Sequence, residues 1–141
     1  MTEKRILFAT AQIAKSKDFH WHGWRFFKEE QEFKRVFEGV AKGLEGNWCY
    51  NDKEVLICPK MYNKTLSHYP APSQGLLQKW LRETHKIDVT PLPEYKLKRT
   101  YTVEIVYENE GVLNIINPGG VYDVYEDAFE FGLQHALNLI K

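Results

Sequence analysis

The stretch Ala71–Val89, A-P-S-Q-G-L-L-Q-K-W-L-R-E-T-H-K-I-D-V, constrains this chain more than any other. Pro72 or Ser73 opens it, where proline's missing N–H costs nothing and a serine hydroxyl can accept an orphaned amide. Leu76, Leu77, Trp80 and Leu81 recur at helical spacing and form one apolar stripe, with Gln78, Lys79, Arg82 and Glu83 opposite. His85 and Lys86 place positive charge in the last turn, where the helix dipole favours it. Ile87 and Val89 then alternate with Asp88, and Pro91 and Pro93 are expected to stop any regular element. A helix over 73–86 leading into a short strand is the frame on which the rest must pack.

Upstream, residues 3–16 predict a short helix with Leu7, Ala11 and Ala14 on one side. Phe19–Phe27, F-H-W-H-G-W-R-F-F, reads as an aromatic strand. Phe19, Trp21 and Gly23 share one face, and His20, His22 and Trp24 the other. From Lys28 to Leu44 the period turns helical, with Phe33, Val36, Phe37, Val40 and Leu44 as its stripe and glycines 43 and 46 as its stop. Trp48-Cys49-Tyr50 is expected to pair with Glu54–Cys58 across a turn holding Asn51 and Asp52. Pro59–Pro72 reads as a connecting loop.

Downstream, Tyr101–Tyr107 alternates cleanly, with Tyr101, Val103, Ile105 and Tyr107 on one face. Glu108–Gly111 is a turn, Val112–Ile116 a returning strand, Asn117–Gly120 a second turn and Val121–Val124 a third strand. Asp123 with Glu126 resembles a capping box, and Asp127 adds charge to the first turn of a helix reaching Lys141. Phe129, Leu133, Ala136, Leu137 and Ile140 form its core face. The expected fold is α+β: a single domain over residues 1–141, with an antiparallel sheet and three or four helices packed mainly on one face.

The balance of charge narrows the function. Nineteen Lys and Arg against 19 Asp and Glu leave a formal net charge of zero. That argues against a protein whose affinity comes mainly from neutralising phosphates. Aromatics at 14% are plentiful and point to an interaction face. The first ten residues lead one to expect no secretory signal, and no apolar run reaches membrane-spanning length, so a cytoplasmic protein without membrane contact is expected. Cys49 and Cys58 fit neither a metal knuckle nor a redox pair and read as reduced thiols.

Several side chains carry possible chemistry. His20 and His22 could share a metal if His68, Asp18 or Asp52 supplied a third ligand, but they read more simply as strand residues among aromatics. Cys49 and Cys58 lack any local nucleophile signature. Asp123, Glu126, Asp127 and Glu130 read as a helix start that favours negative charge. Lys96, Lys98 and Arg99, beside Tyr95 and Tyr101, form the only basic cluster with aromatic neighbours, a pattern able to track a phosphate backbone. No glycine-rich phosphate loop exists. Trp80 reads as core; its other reading is a groove wall beside Trp21 and Trp24. The binding candidates are therefore Trp21, Trp24, Lys96, Lys98 and Arg99. No catalytic residue, metal or cofactor is expected.

Three segments resemble a small protein family common in Bacteroidetes phages and prophages: A-P-S-Q-G-L-L-Q-K-W-L-R-E-T-H-K-I (Ala71–Ile87), V-Y-E-D-A-F-E-F-G-L-Q-H-A-L-N-L-I (Val124–Ile140) and A-T-A-Q-I-A-K-S-K-D-F (Ala9–Phe19). The chain departs from that pattern at Val124, where family members often carry a capping threonine. Lys28–Leu44 looks like an insertion. The resemblance implies a phage or prophage origin and an α+β fold, and transfers no catalytic residue. The order of strands and helix over Tyr101–Lys141 is also similar in form to HicB-type antitoxin domains. The expected function is a non-enzymatic accessory or protein-interaction domain, with a protein partner or homodimer. The alternative is a nucleic-acid-associated or antitoxin-like regulator using Lys96, Lys98 and Arg99.

Overall fold

The computed structural model describes residues 4–20, 48–57, 68–95 and 98–141, with Tyr95 by its backbone alone. The expected Lys28–Leu44 helix, the aromatic run beyond His20, and the candidates Trp21, Trp24 and Lys96 lie outside the described residues.

The central helix forms as its residues dictate. It is α2, Gln74–His85, following α1 (Phe8–Ser16). Ser73 Oγ accepts the Leu76 amide at 3.2 Å, closing the first turn. Lys86 ends the helix in a left-handed conformation, φ 58°, with its amide donating to Leu81 O. Leu76, Leu77, Trp80 and Leu81 are buried, and Gln74 joins them.

A strand follows at once, longer than its prolines suggest. β4 runs Ile87–Tyr95, straight through Pro91 and Pro93, pairing antiparallel with β5 (Arg99–Asn109); β6 (Val112–Ile116) lies on the far side of β5. Tyr101 and Tyr122 exchange backbone hydrogen bonds of 2.7 and 2.8 Å. Odd-numbered β5 residues therefore aim their backbone groups toward the β6 side, and even-numbered ones toward β4. Pro91 and Pro93 pair with Val103 and Tyr101. Their nitrogens consequently face the open edge, where no N–H is needed. The expectation that these prolines end the element is corrected by that placement.

The β5–β6 hairpin turns on Glu110 and Gly111, φ 52° and 78°, a two-residue loop whose twist matches its strands. The expected third strand, Val121–Val124, reduces to one bridge between Tyr122 and Tyr101. A second sheet has the order β2–β1–β3, from β1 (Cys49–Tyr50), β2 (Leu56–Ile57) and β3 (Tyr69–Pro70). Its β1–β2 hairpin follows the expected pairing, with Asn51 Oδ1 accepting from the amides of Lys53 and Val55 at 2.8 and 3.0 Å. Tyr69–Pro70, expected in a loop, instead pairs with β1.

The last helix, α3, spans Tyr125–Leu137. Its N-cap is Val124, without a side-chain cap, so the capping box expected from Asp123 does not form. Glu126 and Asp127 still supply first-turn charge. Helices α2 and α3 pack on the face of β4–β5 carrying Val89, Val103 and Ile105. The approach is close at Gly132, where a β-carbon would stand 2.5 Å from Val103 Cγ2. The result is α+β, with three helices and two antiparallel three-stranded sheets among the described residues.

Candidate functional site

Exposed apolar side chains gather on β6 and just after it. Leu113 is 67% exposed, Ile115 64%, Val121 61% and Val112 60%. Leu113 and Ile115 pair with Glu108 and Val106 of β5, on the sheet face opposite Val103 and Ile105. The backbone parity set by Tyr101 and Tyr122 sends the N–H and C=O groups of Leu113 and Ile115 to the open edge. The same two residues thus present bare apolar side chains and outward main-chain donors and acceptors.

The two edges of this sheet differ sharply. Along β4, Pro91 and Pro93 remove outward donors, and Asp88 and Glu94 carry charge. Both devices discourage a foreign strand. Along β6, V-L-N-I-I, there is neither proline nor charge. No described element covers that edge.

The predicted basic candidates sit elsewhere. Lys98 Nζ lies 3.0 Å from Asp123 Oδ1, both well exposed, and the Arg99 guanidinium stands 5.8 Å from the Tyr101 ring centre. They occupy the end of β5 opposite the β5–β6 turn, away from Leu113.

A buried polar cluster escaped the sequence reading. Glu130, 5% exposed, accepts hydrogen bonds from Leu7 N and Gln74 Nε2, each at 2.9 Å, and from Thr10 Oγ1. Gln134 Nε2 donates to Thr10 Oγ1 at 2.9 Å. The Tyr50 phenol, which donates to Ile6 O at 2.7 Å, has its pKa raised by burial first and by the Glu130 charge second, with Arg5 opposing. A carboxylate that accepts from three donors on separate segments and is closed to solvent ties those segments together. Its only sequence signal is position: Glu130 stands beside Phe129 on the apolar side of its helix.

Below α2 a groove of about 320 Å³ is lined by Ser16, Lys17, Asp18, Trp80, Thr84 and His85 among others. Trp80 is buried, 5.1 Å from the Phe19 ring and 4.7 Å from His85. It is thus core, as read, while also forming one wall. Burial lowers the His85 pKa and the nearby Asp18 charge partly offsets this. His20 Nε2 stands 3.8 Å from Asp18, and its sequence companion His22 lies outside the described residues. Among the described residues no three His, Cys, Asp or Glu side chains gather closely enough to hold a metal. No described helix is long and apolar enough to cross a membrane.

Among the described residues the fold is α+β, and its β4–β5–β6 sheet has one guarded and one unguarded edge. No protein-family model matches the chain, and no curated protein or solved structure matches it.

Proposed function

We propose that the chain is a non-enzymatic protein-interaction domain that binds through the β6 edge, acting in the cytoplasm as an accessory protein of phage or prophage type. The observation that carries the binding reading is the coincidence at Leu113 and Ile115 of exposed apolar side chains with outward backbone groups. An extended segment laid against such an edge gains main-chain hydrogen bonds and apolar contact together. The origin rests on the resemblance of Ala9–Phe19, Ala71–Ile87 and Val124–Ile140 to the phage family. The non-enzymatic reading is supported by Glu130, the most buried acid described, whose carboxylate is already occupied by its neighbours.

A photo-crosslinking residue at Leu113, compared with one at Thr90 on the β4 edge, tests the binding reading in cells that make the protein. Adducts from position 113 and not from 90 are expected. Equal yields from the two positions, or none from either, would sink it.

A further inference from the structure

We propose that two copies of this chain pair β6 to β6, antiparallel, about a two-fold axis through Asn114, so that their β4–β5–β6 sheets become one. This rests on the reading of β6 as the interaction edge and names its partner.

The register follows from the backbone. Outward groups belong to Leu113 and Ile115, so only registers that set odd residues against odd ones make bonds. Centring on Asn114 sets Leu113 opposite Ile115 of the partner subunit, and each such pair exchanges both N–H···O bonds. A one-residue slip turns the outward groups of each strand toward inward ones. A two-residue slip keeps a single central pair and sets the other outward residue against one beyond the ends of β6, so it makes fewer bonds.

Side chains and charge agree with that axis. V-L-N-I-I brings no like charges face to face when it meets itself, and Asn114 meets Asn114 of the partner subunit, amide to amide. The acidic hairpin at Glu108 and Glu110 lies four residues before Asn114 at its tip. Antiparallel pairing carries the two Glu110 tips apart by roughly 27 Å, at about 3.4 Å per residue, and leaves the two Glu108 side chains three strand spacings of about 4.8 Å apart or more, on the order of 15 Å. Both distances exceed the Debye length of about 8 Å at physiological salt, so the repulsion is screened. Each hairpin is carried toward the end of the other sheet that holds Lys98 and Arg99. Parallel pairing would place both acidic turns side by side. The guarded β4 edge then stops growth: with Pro91 and Pro93 there, the assembly closes at two instead of running on as a filament.

The test uses the full chain. Sedimentation equilibrium should give twice the monomer mass of 16.6 kDa. Ile115→Lys, which puts charge on the edge, and Ile115→Pro, which removes an outward N–H as Pro91 does, should each give the monomer mass with an unchanged far-ultraviolet circular dichroism spectrum. In a Cys58→Ser background, Asn114→Cys should form an intermolecular disulfide under mild oxidation, because its Cα atoms would lie about 4.5 Å apart across the axis. Val112→Cys, which faces Ile116 of the partner subunit, should not. A monomer mass at every concentration overturns the self-pairing. So does a dimer that survives Ile115→Lys, or equal crosslinking at 112 and 114. A monomer that still gives a Leu113 photo-adduct with another protein overturns the self-pairing alone; a monomer without an adduct overturns the edge reading as well.

Discussion

The carboxylate of Glu130 accepts from donors on three separate segments: the chain before α1, α1 itself and α2. Replacing it by alanine leaves the Leu7 N–H and the Thr10 hydroxyl facing a hole with no acceptor, and the Gln74 amide with Glu126 O alone. Glu130→Ala should therefore cost about 2–4 kcal/mol, the scale for buried neutral donors left without an acceptor beside a hole. Glu130→Gln keeps the volume but turns one acceptor into a donor, and should cost about 1–3 kcal/mol. Urea midpoints at constant slope measure both, and a Glu130→Ala protein within about 1 kcal/mol of the parent would show the cluster is not a staple. A second residue-scale effect concerns histidine. His85 and His68 both titrate below the ordinary value of 6.5, burial being the larger cause in each. The Lys15 charge adds to the shift at His68, and Asp18 opposes it at His85. Below 6.5 the unfolded chain binds more protons at these sites than the folded one, so stability falls as pH drops through that region. Melting temperature followed from roughly pH 8 to 5.5 should decline in this window. The decline should be shallower in a His68→Gln/His85→Gln variant; identical slopes would remove the histidines as its cause.

At the scale of elements, the joint between α2 and β4 and the seat of α3 are the sensitive points. Lys86 holds φ 58° at the end of α2, a region that costs a side chain about 1 kcal/mol and glycine almost nothing. Lys86→Gly should raise stability by up to about 1 kcal/mol, read from a higher thermal midpoint. Gly132→Ala makes the opposite case. Alanine favours a helix over glycine by about 1 kcal/mol, yet here its β-carbon would meet Val103 at 2.5 Å and Val89 at 3.0 Å. Overpacking of about 1–3 kcal/mol should win, lowering the midpoint; a rise would mean α3 lifts off the sheet without penalty. These elements also show what a sequence discloses. Periodicity announces α2 and β5 plainly, because Leu76–Leu81 repeat at the helical interval and Tyr101–Tyr107 alternate. The bounds of β6 were legible for another reason, the turn residues that precede Val112 and follow Ile116. The length of β4 was not: a proline is tolerated or forbidden according to which way its nitrogen faces, and that is set by β5. Nor was the Glu130 cluster legible, since its partners Thr10 and Gln74 stand 120 and 56 residues away.

For the whole molecule, charge and chain closure decide what is expected. Lys98 is matched by Asp123, and the chain has no net charge, so a nucleic-acid role would have to rest on Lys96 and Arg99 with little help. Binding to DNA or RNA at low salt should be weak, and unchanged in a Lys96→Ala/Lys98→Ala/Arg99→Ala variant; salt-sensitive binding lost in that variant would restore the regulator reading. The segment before α1 ties the first residues to the centre and the end of the chain. Gln74 N donates to Lys4 O at 2.8 Å, Ile6 N to Pro72 O at 3.0 Å, and the Arg5 guanidinium to Ala71 O at 2.8 Å. Ile6 is fully buried, and Leu7 N is one of the three donors on Glu130. Losing a buried isoleucine costs about 2–5 kcal/mol and each orphaned polar group about 1–3 more. A domain of this size has only about 5–15 kcal/mol in total. Deleting residues 1–7 should therefore abolish cooperative unfolding and flatten the near-ultraviolet circular dichroism of Trp80, although α2 keeps its own cap and stripe. A truncated protein that still melts in one sharp transition near the parent midpoint would show that α2, α3 and the β4–β5–β6 sheet form a self-sufficient core, with the first segment only laid across it.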